Sequence, residues 1–303
     1  MKKRHRRKKS RKRLIPIFVV SAVYVTLLGT AIHHFLPKPP PPKTVVKTLP
    51  PRENYVDTAF ETPIPLSVSD DTHTSGILVK TEEYPGFTAT VMEIRNPSRV
   101  QVAMTKYKGS VGETVSQFVN DNNAVAGING GSFMDPYDWR GTGGFPNDIV
   151  IANGNLINHS HLGPQPMIGF TASGQMIAGN YSYDQLKNMD VTQALSFYPV
   201  LVQHGQDIVQ GNGGWGYAPR TVIGQKANGT VLLIVTNGRY ENGPGNVGAS
   251  LQDMANVLLQ NGAVIGANLD GGSSATMILN GKLINEPTDV LGERKVATAI
   301  IVK

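Results

Sequence analysis

The sequence predicts an α+β fold: a largely antiparallel mixed sheet with many hairpins and a few packed helices, preceded by one transmembrane helix. Three observations carry that expectation. Four dipeptides, Asn153-Gly154, Ser173-Gly174, Asn228-Gly229 and Asn280-Gly281, separate apolar or alternating segments, and such pairs supply the tight turns that close hairpins. Two stretches, around Glu113 to Asp121 and after Ser250, carry apolar residues at helical spacing. A run from Leu14 to Leu36 holds no Lys, Arg, Asp or Glu.

In chain order the first element is a cationic block, with ten Lys and Arg and no acid between residues 2 and 13. It accounts for the formal charge of +6, because the rest of the chain holds 18 basic residues against 22 acidic ones. A nucleic-acid-binding surface over the whole protein is therefore not expected, and no nucleic-acid partner is assigned. About 20 apolar residues span a bilayer, and positive flanks stay on the cytoplasmic side. This divides the chain into a basic cytoplasmic tail at 1–13, a transmembrane signal anchor at 14–36, a Pro-rich extracellular linker at 37–74 and one body at 75–303. The expected location is the cell membrane, single-pass, with an extracytoplasmic C-terminal domain. A cleaved signal peptide is the alternative, but no convincing small-x-small site precedes the prolines. The run Pro39-Pro40-Pro41-Pro42 favours an extended spacer, with a proline-recognition ligand as the other reading. Cysteine is absent, which excludes disulfides, thiolate metal sites and a cysteine nucleophile.

The later helix is the better defined. Ser250 caps it with Asp253 three residues on, Leu251, Met254, Ala255, Leu258 and Leu259 form one apolar stripe, and Gly262 ends it. In the earlier one Val115, Phe118 and Val119 face inward. Each helix runs into an apolar strand that ends in a glycine pair, Asn129-Gly130-Gly131-Ser132 in one case and Asp270-Gly271-Gly272-Ser273-Ser274 in the other. A polar residue at such a strand end is held by a rigid scaffold, while the glycines let backbone approach a ligand closely. The first turn offers amide donors suited to phosphate oxygens, and the second offers a carboxylate. Either also fits an ordinary tight turn. Arg220 stands where a loop enters the strand beginning at Thr221, and Arg239 follows the apolar run Val231 to Val235. A guanidinium matches the paired oxygens of a phosphate through two parallel hydrogen bonds.

The order and spacing of these pieces resemble the phosphodiester glycosidase domain. The matching pieces are Asn129-Gly130-Gly131-Ser132-Phe133, Pro199-x-Leu201-x-x-x-Gly205, Pro219-Arg220-Thr221 with Gly224, Gly238-Arg239, the helix from Ser250, Leu269 to Ser274, and Glu293-Arg294-Lys295-Val296. They cover about residues 80–303. In one place the chain departs from the pattern, with Asn237 where family members often carry Asp.

The resemblance implies a hydrolase that frees a sugar from a sugar-1-phosphodiester, leaving a phosphomonoester, here on a sugar-phosphate diester or cell-envelope glycan of a bacterium. It implies Asp270 as the principal catalytic carboxylate, with Glu293 the first choice for a second acid, ahead of Asp148 and Asp135. Arg220 and Arg239 would bind phosphate, and Asn129, Gly130, Gly131, Gly271, Gly272, Ser273 and Ser274 would line the substrate. No cofactor is required. His159-Ser160-His161 offers a ligand pair or a solvent-facing turn, and Asp270 with Asn268, Ser273 and Ser274 offers oxygens to a hard cation such as calcium. Phe133, Tyr137, Trp139, Trp215 and Tyr217 sit in glycine-rich loops near these motifs, where they stack on sugars or pack under loops. Two rival readings use the same residues: a non-catalytic glycan- or teichoic-acid-binding protein, and an exopolysaccharide assembly factor.

Overall fold

The computed structural model describes residues 76–135, 141–239, 245–289 and 292–303. The expected tail, membrane anchor and linker lie outside these residues, and among the described residues no helix is long and apolar enough to cross a membrane. The body is a β-rich α+β fold. Its strands form three sheets rather than one mixed sheet, and every pairing between named strands is antiparallel. Seventeen strands are too many for one twisted sheet, which rarely exceeds about ten. Division into three lets the inner faces share a single core.

The largest sheet has seven strands in the order β1 (Ile77–Tyr84), β2 (Phe87–Ile94), β13 (Val231–Thr236), β12 (Thr221–Lys226), β14 (Ala263–Asn268), β10 (Val200–Gln203) and β11 (Gln206–Asp207). A second is ordered β16 (Lys282–Leu283), β15 (Met277–Leu279), β4 (Ala126–Asn129), β17 (Thr298–Val302) and β3 (Val100–Met104). The third runs β6 (Asn155–Asn158), β5 (Val150–Ala152), β9 (Val191–Leu195), β7 (Gln165–Thr171) and β8 (Met176–Tyr181). All four dipeptides read as turns do close hairpins, joining β5 to β6, β7 to β8, β12 to β13 and β15 to β16. At Asn153-Gly154 and Asn280-Gly281 both residues hold positive φ, the geometry that matches strand twist in a two-residue loop.

One core cluster gathers side chains from all three sheets, among them Met92, Ile128, Val150, Ile168, Leu233 and Ile300. Each outer face is covered by one helix. α1 (Val115–Asp121) packs Val115, Phe118 and Val119 on the second sheet, as the spacing predicts. α2 (Tyr183–Asn188), unrecognised in the sequence, buries only Leu186, on the third sheet. α3 (Leu251–Gln260) covers the first, with Ser250 and Asp253 forming the expected capping box. Val257 joins its buried stripe, and Leu259 is only partly covered.

Two-sided burial explains the composition of β13. Val231, Leu233 and Val235 enter the shared core while Leu232 and Ile234 meet α3, so the strand is apolar without alternation. Gly224 and Gly266 are cross-strand partners, and a Cβ on either would stand 2.7 Å from a methyl of Leu258. The glycine pair thus opens the hole that seats Leu258. Truncating such a buried leucine costs about 3 kcal/mol or more.

Candidate active site

The two glycine-pair turns end strands of different sheets, yet they meet. Asp270 N–H donates to the Gly130 carbonyl at 3.1 Å, and Asn129 Nδ2 donates to the Asp270 carbonyl. Asn129 Oδ1 accepts from Thr221 Oγ1 at 2.8 Å and from Thr276 N–H at 3.1 Å. The third sheet arrives through Ser196, just beyond β9, whose carbonyl accepts from Ser132 N–H at 3.0 Å. Strand ends from all three sheets therefore converge here.

The first turn faces inward. Asn129 is fully buried with its amide engaged at both ends. Gly130 N–H donates to the Thr298 carbonyl and Gly131 N–H to Thr298 Oγ1, both at 2.9 Å. A Cβ would lie 2.6 Å from Thr298 Oγ1 at Gly130 and 2.4 Å from the Ser196 carbonyl at Gly131. The expectation that these amides meet a ligand is corrected: their donors are used inside the protein, and glycine is needed so that three backbones can touch.

The second turn faces the site. Desolvation pushes the Asp270 carboxyl up to about 6, and the Asp135 carboxylate adds to the rise. Ser274, the Arg294 guanidinium and the Gly271 N–H act the other way without cancelling it. Ser274 Oγ is buried beside the carboxyl and has no partner in full hydrogen-bond geometry. Gly271 permits the turn to dock, because a Cβ there would stand 2.8 Å from the Pro219 carbonyl, which accepts the Gly272 N–H. Gly272 holds φ +60°, and a Cβ on it would lie 2.9 Å from Arg239 Nη2, so the bare turn lets that guanidinium lie across it. Ser273 is partly exposed within the same short 3-10 turn.

The two arginines lie close enough for the charge of one to act on the other. Arg220 is 5% exposed, donates from Nε to the Ala249 carbonyl at 3.0 Å, and from Nη2 to the carbonyls of Trp215 and Gly216 at 3.2 and 2.6 Å. Burial lowers its pKa to about 10, helped by the nearby charge of Arg239, so it stays cationic at neutral pH. Arg239 is exposed and holds φ +58°, an uncommon conformation for any residue other than glycine. Among the described residues neither guanidinium has a carboxylate partner. Two adjacent cations without a counter-ion favour binding of an anion.

The other carboxylates are distributed differently from the expectation. Glu293 accepts from Ser116 N–H at 2.9 Å and from Ser116 Oγ, which ties it to the first turn of α1, where a carboxylate complements the helix dipole. Asp135 is the acid that acts on Asp270, and it forms an ion pair with Arg294 Nη2 at 2.6 Å while accepting from Gly141 N–H at 2.7 Å. Arg294 also lies 5.0 Å from the centre of the Phe133 ring. The Glu293-Arg294 motif thus contributes its arginine to the site and its acid to a helix. Asp148 accepts from Ser160 Oγ and lies 3.9 Å from His161 Nε2, with Ser196 Oγ 3.5 Å away. His159 and His161 are exposed in the loop after β6. Among the described residues no three His, Cys, Asp or Glu side chains group closely enough to hold a metal. Tyr137 and Trp139 lie outside the described residues.

Asn237 keeps a structural partner, its Oδ1 accepting Glu286 N–H at 3.1 Å. One group of residues escaped the sequence reading: Phe197 and Tyr198, which join Trp215 in a ring cluster beside Arg220. Their position immediately before the Pro199 motif was the available signal.

The fold thus brings a desolvated carboxyl close to two arginines at one set of strand ends. Residues 122–303 match the family model described as phosphodiester glycosidase, and the chain belongs to that family. It is 28% identical over 158 residues to N-acetylglucosamine-1-phosphodiester alpha-N-acetylglucosaminidase of Mus musculus, covering 46% of this chain and 30% of the relative. The counterpart of that name from Bos taurus is 25% identical over 195 residues, covering 58% and 35%. The chain therefore spans about a third of the length of these curated relatives. In fold it is similar to the zebrafish catalytic domain of that name, auto-inhibited by its pro-peptide, with a TM-score of 0.59 at 20% identity over 75% of this chain and 81% of the other.

Proposed function

We propose that this protein hydrolyses the bond between an anomeric carbon and a phosphodiester oxygen, releasing free sugar and leaving a phosphomonoester. The observation that carries this reading is the meeting of a carboxyl with a pKa near 6 and two guanidinium groups that have no carboxylate partner among the described residues. The diester's negative charge is held by Arg239 and by Arg220 Nη1, which has no hydrogen-bond partner among the described residues. That charge raises the Asp270 pKa further, so the carboxyl stays protonated and acts as the acid. Asp270 gives its proton to the bridging oxygen as the bond to the anomeric carbon breaks. Water adds to that carbon and supplies the replacement proton. Phosphate is a good leaving group, so a weak acid is sufficient.

The substrate we propose is a phosphodiester-linked glycan of a bacterial cell envelope. The names of the curated relatives support a sugar 1-phosphodiester, and the charge-free run 14–36 behind its basic flank supports a membrane-anchored body on the extracytoplasmic side. Asn237, standing where family members often carry an acid, favours a second reading, a surface that binds such glycans without cleaving them.

The test is hydrolysis of N-acetylglucosamine 1-phosphodiesters by the detergent-solubilised chain, with free sugar and phosphomonoester both quantified. We expect the two products in equal amounts and kcat/KM declining above a pKa near 6. A profile that falls only on the acidic side would make Asp270 a base instead. Binding with no product at any pH would establish the second reading.

A further inference from the structure

Phe197, Tyr198 and Trp215 form a ring cluster that the chemistry above does not use. Tyr198 and Trp215 meet edge to face with centroids 5.3 Å apart, Phe197 lies 5.8 Å from Tyr198 and 6.1 Å from Trp215, and Trp215 lies 5.9 Å from the Arg220 guanidinium carbon. A cluster of three aromatics usually closes on itself in a core. Here Tyr198 is 53% exposed and Trp215 41%, with the partly buried Phe197 supporting them.

The cluster is held as a built surface. Asn268 Nδ2 donates to the Tyr198 carbonyl at 3.0 Å, and Asn268 N–H to the Pro199 carbonyl at 2.9 Å, which fixes one side to the end of β14. On the other side the loop carrying Trp215 turns on Gly213, Gly214 and Gly216, all at positive φ. Gly213 packs so closely on α3 that a Cβ would stand 2.6 Å from Leu251 Cβ. Arg220 Nη2 pins the carbonyls of Trp215 and Gly216. The side chain that offers Nη1 to an anion therefore also positions the rings.

Position along Arg220 gives the order of parts. The Asp270-Gly271 turn lies against its stem, since a Cβ on Gly271 would sit 3.5 Å from Arg220 Cα and 3.8 Å from its Cδ, whereas Trp215 lies at its guanidinium end. We infer that Trp215 and Tyr198 form a stacking subsite for the C–H face of a sugar ring esterified to the phosphate on the side away from Asp270, and that these two residues select among phosphodiesters. Pyranose faces are apolar enough to bury against aromatic rings, and the anion beside them is the one Arg220 holds. The inference rests on the phosphate seat proposed above.

The test measures binding by calorimetry to the full chain carrying Asp270→Asn, so that turnover is not needed. The probes are the methyl, glyceryl and glucopyranosyl diesters of N-acetylglucosamine 1-phosphate. Adding Trp215→Ala is expected to weaken the glucopyranosyl diester about tenfold and the methyl diester less than about twofold, with Tyr198→Ala acting in the same direction. Trp215→Phe, which keeps a ring, should recover most of the loss. Equal weakening of all three diesters, no weakening of any, or no binding by the parent variant overturns the subsite. Wild-type hydrolysis of the methyl diester is scored separately. If it is absent while the ring preference persists, the hydrolase reading fails and the subsite stands.

Discussion

Asn129-Gly130-Gly131-Ser132 and Asp270-Gly271-Gly272-Ser273 are nearly the same sequence in the same context, a helix, an apolar strand and a glycine pair, and they do opposite things. The first turn has its Asn129 amide and both glycine N–H groups engaged within the protein, clamping β4 to β12, β14, β15 and β17. The second leaves a carboxyl in desolvated surroundings, with the buried Ser274 hydroxyl beside it and an arginine across its glycine. The difference follows from the neighbours: Thr298 and Ser196 close over the first pair, while Pro219 and the two arginines are nearest to the second.

Substitutions in the two turns should therefore separate activity from stability. The largest effect is expected at Asp270, where Asp270→Asn should lower kcat by about 10³ or more while the protein stays folded. Full turnover in that variant would remove Asp270 from the chemistry. The matching change in the clamp, Asn129→Ala, leaves buried groups of Thr276 and Asp270 unsatisfied and should cost about 3 kcal/mol, read as a lower urea midpoint. If stability is unchanged and only substrate affinity falls, the clamp is instead a ligand contact.

The pH dependence of stability sharpens the same contrast. The native carboxyl of Asp270 holds its proton up to about pH 6, against an ordinary value of 3.8, so the native state binds the extra proton between those limits. Stability linked to this group is complete below about pH 4 and is lost as the pH rises through 6. Asp270→Asn should thus be more stable than wild type above pH 6, by up to about 3 kcal/mol, with the gap closing in acid. Thermal melts of both proteins from pH 4 to 8 would show it, and parallel curves would mean that the carboxyl is not strained by its site. A smaller effect is expected for Gly272→Ala, about 1 to 2 kcal/mol, since φ +60° disfavours a side chain and the new methyl displaces Arg239. Its signature would be a raised KM, with kcat less affected.

What the sequence disclosed was local. Hairpins at Asn153-Gly154 and Asn280-Gly281, the Ser250 cap and the inward face of α1 each depend on residues within a few positions of one another. What it concealed depends on contacts across the fold. Division into three sheets cannot be read from strand periodicity, and nothing near Glu293 says that Ser116, 177 residues away, takes its carboxylate. Nor does the Gly130-Gly131 pair announce whether Thr298 or a ligand will meet its amides. Asp270, Arg220 and Arg239 could be singled out because carboxylates and guanidinium groups at strand ends are conspicuous as residue types, whereas an asparagine such as Asn129 serves a ligand or a backbone equally well.

Strand β17 has a consequence for biosynthesis. It lies between β4 and β3 in the middle of its sheet, and its first residue, Thr298, receives both glycine amides of the clamp. A chain emerging residue by residue has neither a closed second sheet nor a seated first turn until about residue 302 has been made. The first glycine turn is thus seated only once β17 has been made, long after its own strand β4, so shorter chains hold that turn without the contacts that clamp it.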